Sequence, residues 1–331
     1  MHPIVTHSSD EEPLPSQPLS LGSVSNDTPT ELAQEEPDLT PLDATPGAPG
    51  AAPPSTSGTA APGAAPPGTS SGRELLVTGR EPFRRKRRAL GALETPIGAD
   101  ERERIFSTAA DPWRMICSLT ITGTNGATFV GTGWFAGPHT LITAGHCVYD
   151  AALGGWAREI TVRPGRDGAN EPFTALRCKR FSTTDRWRTL RDPDFDYGAL
   201  HLDKATAEPI STQTGWFSTA VMTDAALANQ RVNVSGYPLD KGAASGAQGS
   251  EQWFHAKQII TVLPLRVYYD VDTAAGQSGS PVWLETPAGR RVIGIHAYGV
   301  GGSTHLGIVA NSAPRITKEV LAVLRTWISK V

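Results

Sequence analysis

From Trp113 onward short apolar runs alternate with breaks rich in glycine, proline and asparagine, the rhythm of β-strands joined by turns. Met115–Thr122 reads as a strand, Gly123-Thr124-Asn125-Gly126 as a turn, Thr128–Ala136 as a second strand and Thr140–Ala144 as a third, with Gly137-Pro138 between the last two. Short strands continue at Glu159–Arg163, Thr174–Phe181 and Tyr197–Leu202. A second set occupies Arg231–Ser235, Trp253–Leu263, Arg266–Asp270, Pro281–Leu284, Arg291–Tyr298 and Gly307–Val309. Such a pattern predicts all-β barrels or sandwiches. Two sets imply two halves with a cleft between them, where sites commonly form. Near the end the period changes: Ile316, Val320, Leu321, Leu324, Trp327 and Ile328 share one helical face, which predicts a closing helix over Thr317–Ser329.

The first third of the chain has a different texture. Residues 1–72 hold neither an aromatic residue nor a cysteine, and Pro, Ala, Gly, Ser and Thr dominate from Thr45 to Gly72. Such a segment buries too little apolar surface to offset its ordering entropy, so disorder is expected there. The basic run Arg84-Arg85-Lys86-Arg87-Arg88 reads first as a solvated charge cluster and alternatively as a processing site or a contact made by a propeptide. No aromatic residues accompany it, and the net charge is −3, so nothing points to nucleic acid. No apolar run approaches the roughly 18 residues of a membrane span, and Met1–Asp10 lacks the apolar centre of a signal peptide. Three cysteines leave room for one bridge and one free thiol.

Candidate chemistry centres on Asp272-Thr273-Ala274-Ala275-Gly276-Gln277-Ser278-Gly279-Ser280-Pro281. Ser278 has glycine two residues before it and directly after it, a setting for a sharp, open turn; Ser280 lacks those flanks. A serine nucleophile needs a base, a group that holds the base, and N–H donors aimed at the developing oxyanion. His146, at the end of the apolar run Thr140–Ala144, is the candidate base. Asp196, directly before the apolar run Tyr197–Leu202, is the candidate orienting acid, in preference to Asp192 and Asp194, which flank Pro193 in a solvated loop. The order His, Asp, Ser is one of the known chain orders of a catalytic triad.

Thr-Ala-Gly-His-Cys at 143–147, Asp-Tyr-Gly-Ala-Leu at 196–200 and Gly-Gln-Ser-Gly-Ser-Pro at 276–281 together resemble chymotrypsin-fold serine endopeptidases. Ser235-Gly236-Tyr237-Pro238-Leu239-Asp240-Lys241, Tyr269-Asp270-Val271-Asp272-Thr273 and Gly294-Ile295-His296 bring the likeness closer to the bacterial glutamyl endopeptidases. The likeness runs from about Pro96 to Val331. It implies two six-stranded antiparallel β-barrels, 95–205 and 206–331, the second ending in the helix, after a disordered propeptide or linker at 1–94. It implies a zymogen acting as a monomer on protein or peptide substrates, without a cofactor or metal and without nucleic acid or membrane as partner. Family members are secreted, so export is expected although no signal peptide is visible.

The resemblance also distributes roles. The N–H groups of Gly276 and Ser278 are the expected oxyanion hole, and Thr273 and His296 the expected pocket for an acidic substrate side chain. Asp272, six residues before Ser278, supports the alternative of Arg/Lys specificity, and a catalytically silent peptide-binding relative is a further alternative. Gln277 replaces the aspartate that in animal digestive relatives pairs with a newly cut amino terminus, so that switch is expected to be absent. Cys147 is expected to bridge to Cys178, with Cys117 as the other candidate partner. Trp113, Trp134, Trp187 and Trp253 are expected to pack, and His139, His201, His255 and His305 receive no role. Glu94 precedes Thr95-Pro96-Ile97-Gly98, which resembles a mature amino terminus and makes Glu94 a candidate self-cleavage site.

Overall fold

The computed structural model describes residues 4–8, 88–89, 96–242, 248–300 and 308–330. In chain order the strands begin with β1 (Ile4–Ser8), β2 (Arg88–Ala89), β3 (Glu103–Arg104), β4 (Ile116–Gly123), β5 (Thr128–Gly137) and β6 (Thr140–Thr143). They continue with β7 (Tyr149–Asp150), β8 (Gly155–Pro164), β9 (Leu176–Cys178), β10 (Arg180–Thr184), β11 (Gly198–His201) and β12 (Ser218–Thr219). The last are β13 (Arg231–Gly236), β14 (Trp253–Val262), β15 (Arg266–Tyr269), β16 (Pro281–Thr286), β17 (Gly289–Ile295) and β18 (Asn311–Pro314). The helices are α1 (Gly145–Val148), α2 (Asp185–Leu190), α3 (Lys204–Thr214), α4 (Asp224–Leu227) and α5 (Lys318–Ile328).

Two sheets result. The first runs β1-β10-β11-β6-β5-β4-β8-β7, with β2 on β5 and β9 on β8; the second runs β12-β17-β16-β13-β14-β15-β18, with β3 on β14. Pairing is antiparallel except for β2 with β5 and β12 with β17. The period-2 pattern explains the layering. On β4, Cys117, Leu119 and Ile121 face the first core with Phe135, Leu141, Phe181 and Leu200, while Ile116 faces the other way. Val232, Val234, Ile259, Val267 and Ile293 fill the second core. Between the sheets Ile116, Trp134, Ile142, Tyr237, Trp283 and Trp327 form a third cluster that holds the two halves together. Each fully buried side chain of this size contributes about 1.5–3 kcal/mol.

The two ends of the catalytic region exchange sides. β3, near the start, pairs with β14 of the second sheet, Arg104 opposite Trp253. The helix α5, at the end, is capped by Thr317, whose hydroxyl accepts the Val320 N–H at 3.3 Å. It buries Val320, Val323, Leu324 and Trp327, with Trp327 5.8 Å from the Tyr197 ring centroid. Gly137 leaves room for it, since a β-carbon there would stand 2.8 Å from Ile328.

Several elements differ from expectation. The run Thr174–Phe181 is broken at Lys179 into β9 and β10. Residues 308–309 are not a strand, and Gly307 lies outside the described residues; the strand is β18, paired with β15. The short helices α2 and α3 were not expected. β1 lies within the stretch expected to be disordered: it pairs with β10, Thr6 Oγ1 lies 2.7 Å from Ser182 Oγ, and His7 stacks on Trp156 at 5.1 Å. The rest of the low-complexity stretch, Arg84–Arg87, Glu94, Thr95 and His305 lie outside the described residues.

Candidate active site

β6 runs directly into α1, which carries His146. The turn is tight: a β-carbon on Gly145 would stand 2.9 Å from Thr183 and Trp187 and 3.0 Å from the Asp196 carboxylate. His146 meets Asp196 twice, backbone N–H to Oδ1 at 2.8 Å and Nδ1 to Oδ2 at 2.8 Å. Both side chains are sealed from solvent, at 1% and 0% exposure, so the pair works at low dielectric. The neighbouring acids are engaged elsewhere: Asp192 caps the turn Pro193–Phe195 and pairs with Arg186, and Asp194 binds Arg266 at 2.8 Å. In the segment that follows β17, the Tyr298 ring stands edge-on to His146 at 6.5 Å. Burial first, and then the Asp196 charge, push the Tyr298 pKa up, so the phenol stays protonated. Burial opposes a charged His146, but attraction to Asp196 outweighs it and the imidazole pKa is raised well above its ordinary value. His146 Nε2 is buried and has no hydrogen-bond partner among the described residues.

Ser278 sits on the turn between Thr273 and β16. Gly276 (φ +102°) and Gly279 (φ +91°) both occupy the left-handed region. A β-carbon at 276 would stand 2.6 Å from the Tyr237 carbonyl, and one at 279 would stand 2.1 Å from the Thr132 carbonyl. Thr132 of β5 seats this turn against the first barrel. Its N–H donates to Ser278 O at 2.9 Å and its hydroxyl to Gly276 O at 2.9 Å, while the hydroxyl accepts the Tyr237 N–H at 3.0 Å. Cys147 Sγ also approaches Ser278 O, at 3.8 Å, so the turn lies against the residue that follows His146. Ser280, the alternative serine, spends its hydroxyl on Gln277 O at 2.6 Å.

Of the expected pocket residues, His296 and Thr273 are fully buried. Tyr269 Oη lies 2.6 Å from His296 Nδ1, and Thr273 Oγ1 is a buried hydroxyl with no partner among the described residues. Asp272 is turned toward the incoming chain. Its carboxylate accepts the Ile97 N–H at 2.7 Å and the Glu101 N–H at 3.0 Å, and its own N–H donates to His255 Nδ1 at 2.8 Å. A ring nitrogen that accepts this bond carries no proton, and burial lowers the His255 pKa, so the 3.3 Å approach of His255 to Asp272 is not an ion pair. Glu101, His255 and Asp272 bring their ligand atoms within 4.8 Å of one another. Their donors are taken, Glu101 by Lys257 at 2.6 Å, and the group does not fit a metal.

The cysteine expectation is corrected. Cys117, Cys147 and Cys178 are all free and buried. The Cys147–Cys178 bridge fails because the thiols face apart: Cys178 donates to Arg180 O at 3.2 Å and His201 O at 3.3 Å, whereas Cys147 faces Ser278. Burial pushes the Cys178 pKa up to about 12, which keeps it inert at neutral pH. All three thiols are therefore expected to resist alkylation in the native protein and to react together on denaturation without reductant. A disulfide-linked peptide in a non-reducing map would contradict this.

Thr132, Tyr298 and Arg102, whose guanidinium touches Gln277, were not marked by the sequence. Thr132 and Tyr298 meet partners elsewhere in the chain, and the Arg102 contact that reaches the Ser278 turn spans 175 residues.

Comparison with known proteins shows the family. Residues 131–295 match the trypsin-like peptidase domain. A glutamyl endopeptidase of Bacillus licheniformis is 36% identical over 242 residues, 71% of this chain and 70% of the relative. The chain belongs to the trypsin-like serine peptidases. It is a serine endopeptidase close to the glutamyl endopeptidases. A Bacillus subtilis protein named extracellular metalloprotease is 33% identical over 233 residues, 70% of this chain and 69% of that protein. The solved structure of a Glu endopeptidase in complex with MPD shares the fold, with a TM-score of 0.61 at 24% identity, covering 71% of this chain and 99% of the other.

Proposed function

We propose that this peptidase cleaves peptide bonds after glutamate or aspartate through Ser278, His146 and Asp196. The observation that carries the catalytic reading is the sealed His146–Asp196 pair, which engages Nδ1 and leaves Nε2 without a hydrogen-bond partner among the described residues. With Nδ1–H held by Asp196, the free electron pair sits on Nε2. That atom takes the Ser278 proton as Oγ attacks the carbonyl, then gives it to the leaving amine. Asp196 stabilises the imidazolium formed in between. The N–H groups of Gly276 and Ser278, on the turn that Thr132 seats, receive the oxyanion.

Specificity follows from what each pocket residue has left to offer. With the Tyr269 phenol donating to His296 Nδ1, the His296 proton lies on Nε2, the tautomer that can donate to a substrate carboxylate, and the Thr273 hydroxyl is a second candidate donor. Asp272 has committed both oxygens to backbone N–H groups, which removes the basis for Arg/Lys selection. The named relatives that are glutamyl endopeptidases support the same reading. The proposed site of action is outside the cell. Profiling cleavage of a peptide library is expected to place Glu or Asp before the cut bond. Cleavage after Arg or Lys would overturn the pocket assignment, and no cleavage with no fluorophosphonate labelling of Ser278 would favour the silent peptide-binding relative.

A further inference from the structure

Arg102 is a charged side chain with 0% exposure, and neither the proton transfers nor the pocket chemistry uses it. Its guanidinium grips Asp100 with two bonds of 2.9 Å, from Nε and Nη2. It also pairs with Asp240 through Nη1 and Nη2. Lys241 adds a second cation on Asp100 at 2.6 Å, so two positive groups face two carboxylates and the buried charge is balanced. One bond falls outside this ion cluster: Nη1 donates to Gln277 Oε1 at 3.1 Å.

Gln277 directly precedes Ser278. Its Oε1 also accepts the Ala274 N–H at 2.9 Å, and its backbone N–H donates to Ala274 O at 3.0 Å. Together these bonds tie the turn from Ala274 to Gln277 shut, and they enclose Gly276. The buried Nε2 has no partner among the described residues. Exchanging the two amide atoms would set NH₂ against the guanidinium and the Ala274 N–H, so Arg102 fixes which way the amide faces. Thr132 holds this turn from the first barrel, and Arg102 holds it from the opposite side.

We infer that Arg102 is a positioning residue for the oxyanion-binding turn, acting through Gln277; this rests on the serine endopeptidase reading above. The segment Ile97–Arg104, anchored by Asp272 on Ile97 and by β3 on β14, is the mount that delivers the guanidinium. Among the described residues the acceptors of the Arg102 guanidinium are side chains of Asp100, Asp240 and Gln277, so the brace needs no freed amino terminus.

The test is a double-mutant cycle of Arg102→Met, Gln277→Met and the pair. The readouts are kcat, KM, the rate constant of fluorophosphonate labelling at Ser278, and thermal melting. Misplacing reacting groups by about 1 Å costs about 10²-fold in rate. Each single variant should therefore lose on that order in kcat and in labelling rate with KM unchanged, and the double variant should lose no more than either single. Arg102→Met removes the buried cation from two partly exposed carboxylates, Asp100 and Asp240, and should lower the melting temperature. Gln277→Met leaves the ion cluster intact and keeps the test valid if the first variant does not fold. Wild-type kcat and labelling in folded Gln277→Met, or additive losses in the double variant, would overturn the inference. Failure of the unmutated protein to label would instead overturn the serine endopeptidase reading beneath it.

Discussion

Ser278→Ala should abolish hydrolysis, with a loss of about 10⁶-fold in kcat, the scale found when the serine of such a triad is removed alone. The fold should survive. The bonds that seat the turn run through the Ser278 carbonyl, to Thr132 N at 2.9 Å and Cys147 Sγ at 3.8 Å, and alanine keeps that carbonyl. The glycines at 276 and 279 are likewise untouched. Circular dichroism and thermal melting of the variant beside its turnover make the check. Full turnover with an unchanged spectrum would remove Ser278 from its role. The same variant reports on processing. Ile97, three residues after Glu94, donates its N–H to Asp272, next to the pocket candidate Thr273. Thr95 as the new start in the active protein and its absence in Ser278→Ala would identify self-processing. The same start in both would assign the cut to another protease.

The parts legible in the sequence were those written in local pattern. Strands such as β4 and β13 carry alternating apolar residues, β5 is a short apolar run between turn formers, and the face of α5 repeats at helical spacing. His146 and Asp196 were legible for a related reason, since each stands at the edge of an apolar run that must enter a core, which fixes where its side chain emerges. Other elements depend on contacts that no local window contains. β18 is Asn-Ser-Ala-Pro, with little strand propensity, and exists because β15 offers it a paired edge. α3 carries Pro209 in its interior, which argues against a helix when read alone. Arg102 has Asp100 close by in sequence, but it meets Asp240 and Gln277 at separations of 138 and 175 residues, so no local window shows its link to the Ser278 turn. The disulfide came from family likeness alone, and the directions of the Cys147 and Cys178 thiols, which decide it, are set only by the folded sheet.

Asp196→Asn is expected to lower kcat by about 10⁴-fold, because an amide no longer selects the imidazole tautomer whose free electron pair faces the nucleophile. Asp192→Asn and Asp194→Asn should cost far less. Asp192 caps a short turn and pairs with Arg186, Asp194 pairs with Arg266, and neither bonds to His146. The pH profile separates a lost tautomer from a merely loosened site. In the native protein the Asp196 carboxylate, against the opposing effect of burial, holds the His146 pKa well above its ordinary value. A base must be neutral to work, so the acid limb of kcat/KM in the unmodified enzyme should lie above the ordinary histidine range of about 6.5. Removing the carboxylate charge takes away the largest effect opposing burial, and burial disfavours imidazolium. The acid limb of Asp196→Asn should therefore move to lower pH while its plateau falls. The two neighbouring variants should keep both the plateau and the limb. Equal losses across the three, or a limb in Asp196→Asn that stays in place, would mean that the orienting acid is another group and that the sealed pair at 2.8 Å only supports the fold.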